Sequence, residues 1–171
     1  KEIDFNPQFA YYFDEKSEFH YRLNDKDNVE NHYHKNKCEF YFPLSDKINL
    51  NINKTSISPN KYDLIVIKNK EKHQPLFDNN NNERYVFSIT LDYLKYLSTN
   101  NRQNLTDCFT EDSNFHRIFS EDVFKYRLNN YFNILKSYIK NRVKNKAIYE
   151  KIFDLILINS CQIIKKEENR N

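Results

Sequence analysis

The apolar residues of this 171-residue chain follow two different periods, and the change comes near residue 91. Before it, apolar residues form short runs separated by Asn, Asp, Ser and Pro. The run over 48–53 alternates strictly, whereas the run over 63–67 is apolar on both faces, as in a strand covered on two sides. The predicted strands are 19–23, 38–44, 48–53, 63–67 and 84–90. Short strands at this spacing predict a β-sandwich or a β-barrel.

After residue 91 the period becomes helical. Residues 91–97 predict a short helix, and residues 122–140 carry one apolar stripe that Ser120 is expected to cap. The pattern over 146–166 is apolar more than half way round, so we expect this helix to contact both its neighbour and a second subunit. The residues proposed for that dimer interface are Ile148, Ile152, Leu155, Ile156 and Ile163.

Strands followed by helices predict an α+β fold, with a β-barrel over 1–90 and a helical dimerisation or linker segment over 91–171 that packs with the barrel as one unit. Aromatic residues make up 16% of the chain, which supports a packed interior. The chain has no Gly, so Asn is expected at the backbone positions that Gly would otherwise fill.

The charge balance excludes one function class for this chain alone. Its 27 basic and 24 acidic residues give a formal net charge of +3 with no dense basic stripe, which is not typical of a nucleic-acid binder. No signal peptide or 18-residue apolar run occurs, so we expect a soluble protein. Three widely separated cysteines, Cys38, Cys108 and Cys161, indicate reduced thiols in a cytoplasmic protein.

The stretch HYHKNKCEF, residues 32–40, carries the candidate chemistry. In a strand, His32 and His34 would project from one face, and a turn at 35–37 would let Glu39 join them. His73 follows the apolar strand downstream. Three imidazoles and a carboxylate inside a barrel suit a first-row transition metal with open positions. The alternative is a set of barrel residues that bind only one another.

The order of these motifs resembles the cupin superfamily, and within it the N-terminal domain of AraC-type transcription regulators. HYHKNKCE matches the first cupin motif, and SPNKYDLIVIKNKEKH, ending at His73, matches the second, with NKY where the family has Gly. NERYVFSITLDYLKYL and LTDCFTEDSNFHRI are similar to the segments that follow in these regulators. The resemblance covers most of residues 18–166 and leaves 1–17 unexplained.

The resemblance implies a cupin-like double-stranded β-helix, or jelly roll, whose pocket binds a small-molecule effector. Its candidate pocket residues are His32, His34, Glu39, Tyr41 and His73, and a divalent metal on the three histidines and Glu39 stays open. It also implies a homodimer and DNA binding through a helix-turn-helix domain beyond this chain. We therefore expect a cytoplasmic sensor that is not an enzyme and has no membrane partner. The alternative is a metal-dependent cupin enzyme, either an isomerase or an oxygenase, and a plain interaction domain is a weaker third reading.

Overall fold

The computed structural model describes residues 8–24, 30–46, 48–77, 81–110 and 114–170. In this part of the chain the elements, in order, are β1 (Phe9–Phe13), β2 (Ser17–Leu23), β3 (Lys37–Pro43), β4 (Ile48–Ile52), β5 (Thr55–Ile57), β6 (Leu64–Ile67), β7 (His73–Phe77), β8 (Glu83–Thr90), α1 (Leu91–Asn100), α2 (Thr106–Phe109), β9 (His116–Ile118), α3 (Ser120–Lys125), α4 (Leu128–Lys140) and α5 (Lys146–Glu168). The predicted α+β fold is confirmed.

The strands form two antiparallel sheets that face each other. The larger sheet has the order β1-β2-β8-β3-β6-β9, and the smaller has the order β5-β4-β7. Ile48, Leu50 and Ile52 of β4 pack against Ile65 and Ile67 of β6 in the space between the sheets. The strict alternation over 48–53 therefore corresponds to a strand with one buried face, as predicted.

Strand alternation gives the larger sheet two different faces. Phe19, Phe40 and Phe87 point outward from β2, β3 and β8 into a core that they share with the helices. Each of these side chains has 0% exposure. The neighbouring residues on the same strands point inward, toward the smaller sheet. One sheet thus separates the helices from the interior of the sandwich.

All five predicted strands exist, with ends within two residues of the prediction. Four further strands were missed: β1, β5, β7 and β9. β5 and β9 have three residues each, which is too short for a periodic signal, and β7 contains Pro75. β9 pairs with β6, so the segment over 91–171 is not purely helical and contributes an edge strand to the larger sheet.

The single helix predicted over 122–140 is two helices. Arg127 lies between α3 and α4 with a φ of 63°, a left-handed backbone conformation that ends the first helix. Ser120 is not the cap, because it is already the first helical residue. Its N–H instead donates to Asp63 Oδ1 at 2.9 Å, so a carboxylate from the β5–β6 turn caps α3.

Several residue types, and not mainly the expected Asn, occupy the left-handed backbone positions that Gly often fills. Ten described residues have positive φ, and just two of them, Asn24 and Asn53, are the expected Asn. Tyr62, which stands in the NKY segment where the resembled family has Gly, has a φ of 70°. Its ring packs against Phe42 and Phe124, at centroid distances of 6.1 and 5.5 Å. These ring contacts offset a backbone conformation that is costly for a residue with a side chain.

α5 runs two residues beyond its predicted end, and three of the five residues proposed for the dimer interface lie inside the chain. Ile152, Ile156 and Ile163 are buried in the core of the chain itself, with at most 6% exposure. The apolar pattern of α5 does not distinguish a residue packed within the chain from one at a contact between subunits. Of the remaining candidates, Leu155 is 42% exposed and Ile148 is partly buried. In the described residues, no helix is long and apolar enough to cross a membrane.

A disulfide links α2 to α5, against the expectation of three reduced thiols. Cys108 and Cys161 are joined across a sequence separation of 53 residues. α2 packs on α5 and brings them together, which spacing along the chain could not indicate. Cys38 is buried and free, and burial raises the pKa of its thiol to about 12.

Thiol counting tests this pairing. Native protein should show no reactive thiol toward a disulfide reagent, because Cys38 is buried and protonated and the thiolate is the reactive form. Denatured, unreduced protein should show one thiol per chain, and reduction should raise the count to three. The variant Cys161→Ser should show two without reduction. Three thiols in unreduced wild-type protein would contradict the pairing.

Candidate metal centre

The four candidate ligands come from three segments that meet at the end of the smaller sheet. Glu39 lies on β3 and His73 is the first residue of β7. His32 and His34 lie in the loop before β3, and so the predicted strand–turn–strand arrangement is wrong. Of these two, only His32 forms a β-bridge: its N–H donates to the His73 carbonyl at 3.1 Å, and the His73 N–H donates to the His32 carbonyl at 2.8 Å. This bridge and the pairing of β3 with β6 bring the two motifs together.

The ligand atoms of these four side chains all lie within 4.8 Å of one another. Ring centroids of His32 and His73 are 4.3 Å apart, and that of His34 lies 5.0 and 5.4 Å from the other two. Glu39 Oε2 is 2.7 Å from His73 Nε2 and 3.7 Å from His34 Nε2. One carboxylate oxygen therefore faces the imidazole nitrogens, as a shared ion would require.

Backbone carbonyls fix the orientation of two of the imidazoles. His32 Nδ1 is 2.8 Å from the carbonyl of Glu30, and His73 Nδ1 is 3.0 Å from that of Glu71. Because a carbonyl only accepts, each Nδ1 must carry a proton and donate it. The other nitrogen, Nε2, is then the one available to a ligand. Histidines that bind metals are oriented in this way.

Burial and charge act against each other at this cluster. Burial alone would lower the pKa of His73, but contact with the Glu39 carboxylate outweighs it and raises that pKa above its ordinary value. Burial would raise the pKa of Glu39, and the contact with His73 lowers it instead. Each of these two groups therefore favours the charged form of the other. For His34, burial is the largest cause and its pKa is lowered, so this ring is a neutral imidazole near pH 7.

The donor set fits a divalent cation. Imidazole and carboxylate are ligands shared by Zn, Fe, Mn and Ni. Glu39 Oε2 and His73 Nε2 are fully buried atoms, and neither has a well-aligned hydrogen bond within the described residues, although they lie close together. A cation between them would satisfy both atoms, with His73 giving up its second proton.

A cavity of about 230 Å³ opens beside the cluster, which is room for about eight waters at ~30 Å³ each. All five predicted pocket residues line it. The other lining residues, which the sequence analysis did not assign, are Glu18, His20, Arg22, Lys37, Pro75, Arg84, Val86 and Ser88. Most are inward positions of β2 and β8, and the alternation that buries Phe19 and Phe87 could have indicated them.

The cavity wall carries charge beyond the four ligands. Lys37 Nζ lies 3.6 Å from Glu18 Oε2, and His20 Nε2 lies 3.2 Å from the same oxygen. Arg84 is buried, with its guanidinium 4.5 Å from the ring centroid of Phe77. A larger open cleft of about 810 Å³ lies elsewhere, between the β1–β2 turn and α1, and none of its lining residues is a histidine or cysteine.

Comparison with known proteins gives structural matches only. No protein-family model matches the chain, and neither does any curated protein. Among solved structures, it is similar to a cupin protein from Bacteroides fragilis, with 18% identity and a TM-score of 0.43 over 53% of this chain and 81% of that one. It is also similar to KdgF from Halomonas sp., with 8% identity and a TM-score of 0.44 over 52% and 84%. The cupin domain of Schizosaccharomyces pombe Cnp3 matches with 12% identity and a TM-score of 0.43 over 57% and 71%.

His116 lies on β9 and does not line this cavity. Burial lowers its pKa to about 4, and the charge of Lys68 adds to the shift. Since an unfolded histidine has a pKa of about 6.5, the unfolded chain takes up this proton first as the pH falls. His116 therefore costs stability progressively between about pH 6.5 and pH 4, and not above that window.

The variant His116→Gln should remove this loss. The free energy of unfolding, measured by urea titration at several pH values, should fall less steeply for the variant than for the wild type between about pH 6.5 and pH 4. The difference between the two proteins isolates His116 from other titrating groups. Parallel pH profiles would contradict the predicted burial of an uncharged ring.

Proposed function

We propose that this chain is the effector-sensing and dimerising part of a bacterial transcription regulator similar to the AraC type. In this proposal the two sheets form a cupin-like barrel that holds a divalent metal on His32, His34, Glu39 and His73. A small effector occupies the adjoining cavity, in contact with Tyr41. The helical part passes the bound state to a second subunit, and DNA is contacted by a separate helix-turn-helix domain.

The observation that carries the metal proposal is the convergence of four ligand atoms within 4.8 Å, with two imidazoles oriented by backbone carbonyls. Hydrogen-bonded barrel residues would not need Nε2 atoms aimed at one point. A bound cation would attract an oxygen or nitrogen of the effector as a Lewis acid. The Nδ1 contacts of His32 and His73 orient the imidazole rings that would bind the ion. The burial of Glu39 and His73 excludes bulk water from them.

The observation that favours a sensor is that the larger sheet lies between the cavity and the helices and contacts both. β2, β3 and β8 carry cavity residues on one face and core residues on the other. Glu39 and Phe40 are sequence neighbours, one at the candidate ligand site and one against Phe109 of α2, at a centroid distance of 5.3 Å. An effector that binds better to one arrangement of β3 also favours one arrangement of the helices.

Metal content tests the first part of the proposal. Protein purified without an affinity tag should contain about one divalent transition metal per chain by elemental analysis. His34→Ala should weaken Co²⁺ affinity by more than about a hundredfold, because even groups that only orient a ligand contribute 10–100-fold. His116→Ala, which removes an imidazole outside the cavity, should leave the affinity unchanged. Less than about a tenth of an equivalent in the wild type would count against the metal.

We propose that the dimer interface consists of the apolar residues of α4 and α5 that are not buried within the chain. Ile134 is 39% exposed and Leu155 42%, and Ile148 and Ile158 lie partly buried on α5. Because the buried isoleucines of α5 serve the chain's own core, a dimer contact would use this narrower stripe. A stripe of this kind would pair two copies through a two-fold axis.

Light scattering tests the dimer. The wild type should show twice the 20.9 kDa chain mass at tens of micromolar. Leu155→Glu should reduce the mass to that of one chain, because a buried unpaired carboxylate at the interface is costly. Tyr96→Glu, at a residue of α1 that is 51% exposed, is the matched control and should stay dimeric. A monomeric wild type would exclude this interface.

A second candidate function is a metal-dependent enzyme, an isomerase or an oxygenase. It is favoured by His20, which lines the cavity beside Glu18 and could transfer a proton near the metal. The gene sequence beyond residue 171 separates the two functions. Two helix-turn-helix units after it would support the regulator, and a stop codon there would favour the enzyme.

A further inference from the structure

Glu71 lies in the loop between β6 and β7, and its side chain joins this loop to two other segments, at Asn53 and Phe115. Its side chain is buried, with 6% exposure for the residue. Oε1 accepts the N–H of Lys68 at 2.8 Å. Oε2 accepts the N–H of Phe115 at 3.0 Å and the side-chain amide of Asn53 at 3.1 Å. A buried carboxylate with three donors holds its surroundings in one arrangement.

The same residue orients a candidate ligand. The carbonyl of Glu71 accepts Nδ1–H of His73 at 3.0 Å, which turns Nε2 of that ring toward Glu39. The loop also contacts the first motif, since Lys70 N–H donates to the carbonyl of His34 at 2.8 Å. The backbone of residues 68–73, the 68–73 loop, therefore supports two of the four ligands, His34 and His73.

Phe115 connects the 68–73 loop to the helical part. It directly precedes β9, which pairs with β6 and leads into α3. Its ring packs into the core between the two sheets, with Ile65 and Ile67. A shift of the Glu71 carboxylate would thus move or release the N–H of Phe115, and with it the backbone that leads through β9 into α3.

We propose that Glu71 is a positioning residue that couples the ligand site to the helices, by orienting His73 at one end and holding the Phe115 amide at the other. The proposal rests on the function proposed above, because the coupled state is the bound one. A ligand on His73 fixes the 68–73 loop, the loop fixes the carboxylate, and the carboxylate fixes the start of β9. Coupling of this kind requires that the ligand bind the two loop arrangements with different affinity.

Asp63 provides the matched comparison. It is another buried carboxylate, with 1% exposure, and it also joins the sandwich to the β9–α3 region. It accepts Arg117 Nη2 at 2.7 Å and the N–H of Ser120 at 2.9 Å. Asp63 Oδ2 also accepts from Arg117 Nε at 3.1 Å and from the N–H of Asn60, in its own turn, at 3.0 Å. Its loss should disturb the same helices without acting on a ligand histidine.

The test compares Glu71→Gln with Asp63→Asn in the full chain. A glutamine side chain presents a donor where the carboxylate has an acceptor, so at least one of the three N–H groups loses its partner. Its amide oxygen can still accept from Phe115 and Asn53 while its NH2 group faces the N–H of Lys68, so Glu71→Ala, which removes every acceptor, is measured beside it. In metal-free protein, Glu71→Ala should speed the amide exchange of Phe115. Both variants should shift the imidazole NMR signals of His73 and weaken Co²⁺ binding 10–100-fold. Asp63→Asn should speed exchange at Ser120 and leave the His73 signals and Co²⁺ affinity unchanged.

A further measurement distinguishes coupling from a local effect. Co²⁺ should slow the Phe115 amide exchange in the wild type, and Glu71→Ala should abolish that slowing even at saturating Co²⁺. The proposal is overturned if Glu71→Gln leaves His73 and Co²⁺ affinity unchanged, or if Asp63→Asn weakens Co²⁺ as much. If the wild type binds no Co²⁺, the metal function fails, and the NMR comparison in metal-free protein still decides the role of Glu71.

Discussion

The alternation of side chains along β2, β3 and β8 is the constraint on which the structure depends. Because successive residues of a strand point to opposite faces, each of these strands must supply a core for the helices and a wall for the cavity at once. A slip of one residue would place Phe40 in the cavity and Glu39 among the aromatic side chains of the core. The burial of Phe19, Phe40 and Phe87 therefore fixes where the cavity residues point.

The helical part completes this arrangement and is not an appendage. Phe132 of α4 lies 5.3 Å from the ring of Phe42 and 6.3 Å from that of Phe87, and Phe153 of α5 lies 5.3 Å from Phe87. Aromatic rings at these separations contribute beyond the area that they bury. Without the helices, the outer face of the larger sheet would be an extended apolar surface in water. The outer face of the larger sheet and the helices consequently form one hydrophobic core, and the space between the two sheets holds a second, smaller one.

The sequence predicted the elements whose patterns were long enough to show a period. Five strands followed from short apolar runs between turn residues, and the start of α5 followed from the 3.6-residue repeat. β9 did not, because three residues carry no period, and the break at Arg127 did not, because an arginine in the left-handed region leaves no compositional signal. Contacts between segments that are distant along the chain could not be predicted from the sequence either. The capping of α3 by Asp63 and the pairing of Cys108 with Cys161 depend on which surfaces meet.

For the candidate site, spacing was enough to group His32, His34, Glu39 and His73, but not to orient them. The sequence placed His32 and His34 on a strand, where both would point one way by geometry alone. In the structure, only His32 forms a bridge, and backbone carbonyls from Glu30 and Glu71 set the direction of the rings. Those acceptors are main-chain atoms, which no residue type encodes.

The energetics of the cluster also bear on why these residues are there. A buried ion pair such as Glu39–His73 gains little net stability, because removing both charges from water offsets most of their attraction. Packed apolar side chains of similar volume would serve the fold at least as well. His34 is held with a lowered pKa by burial, so it adds no charge to stabilise Glu39. The contribution of this pair to stability therefore does not account for the cluster, and the proposed cation would take the place of the proton between Glu39 and His73.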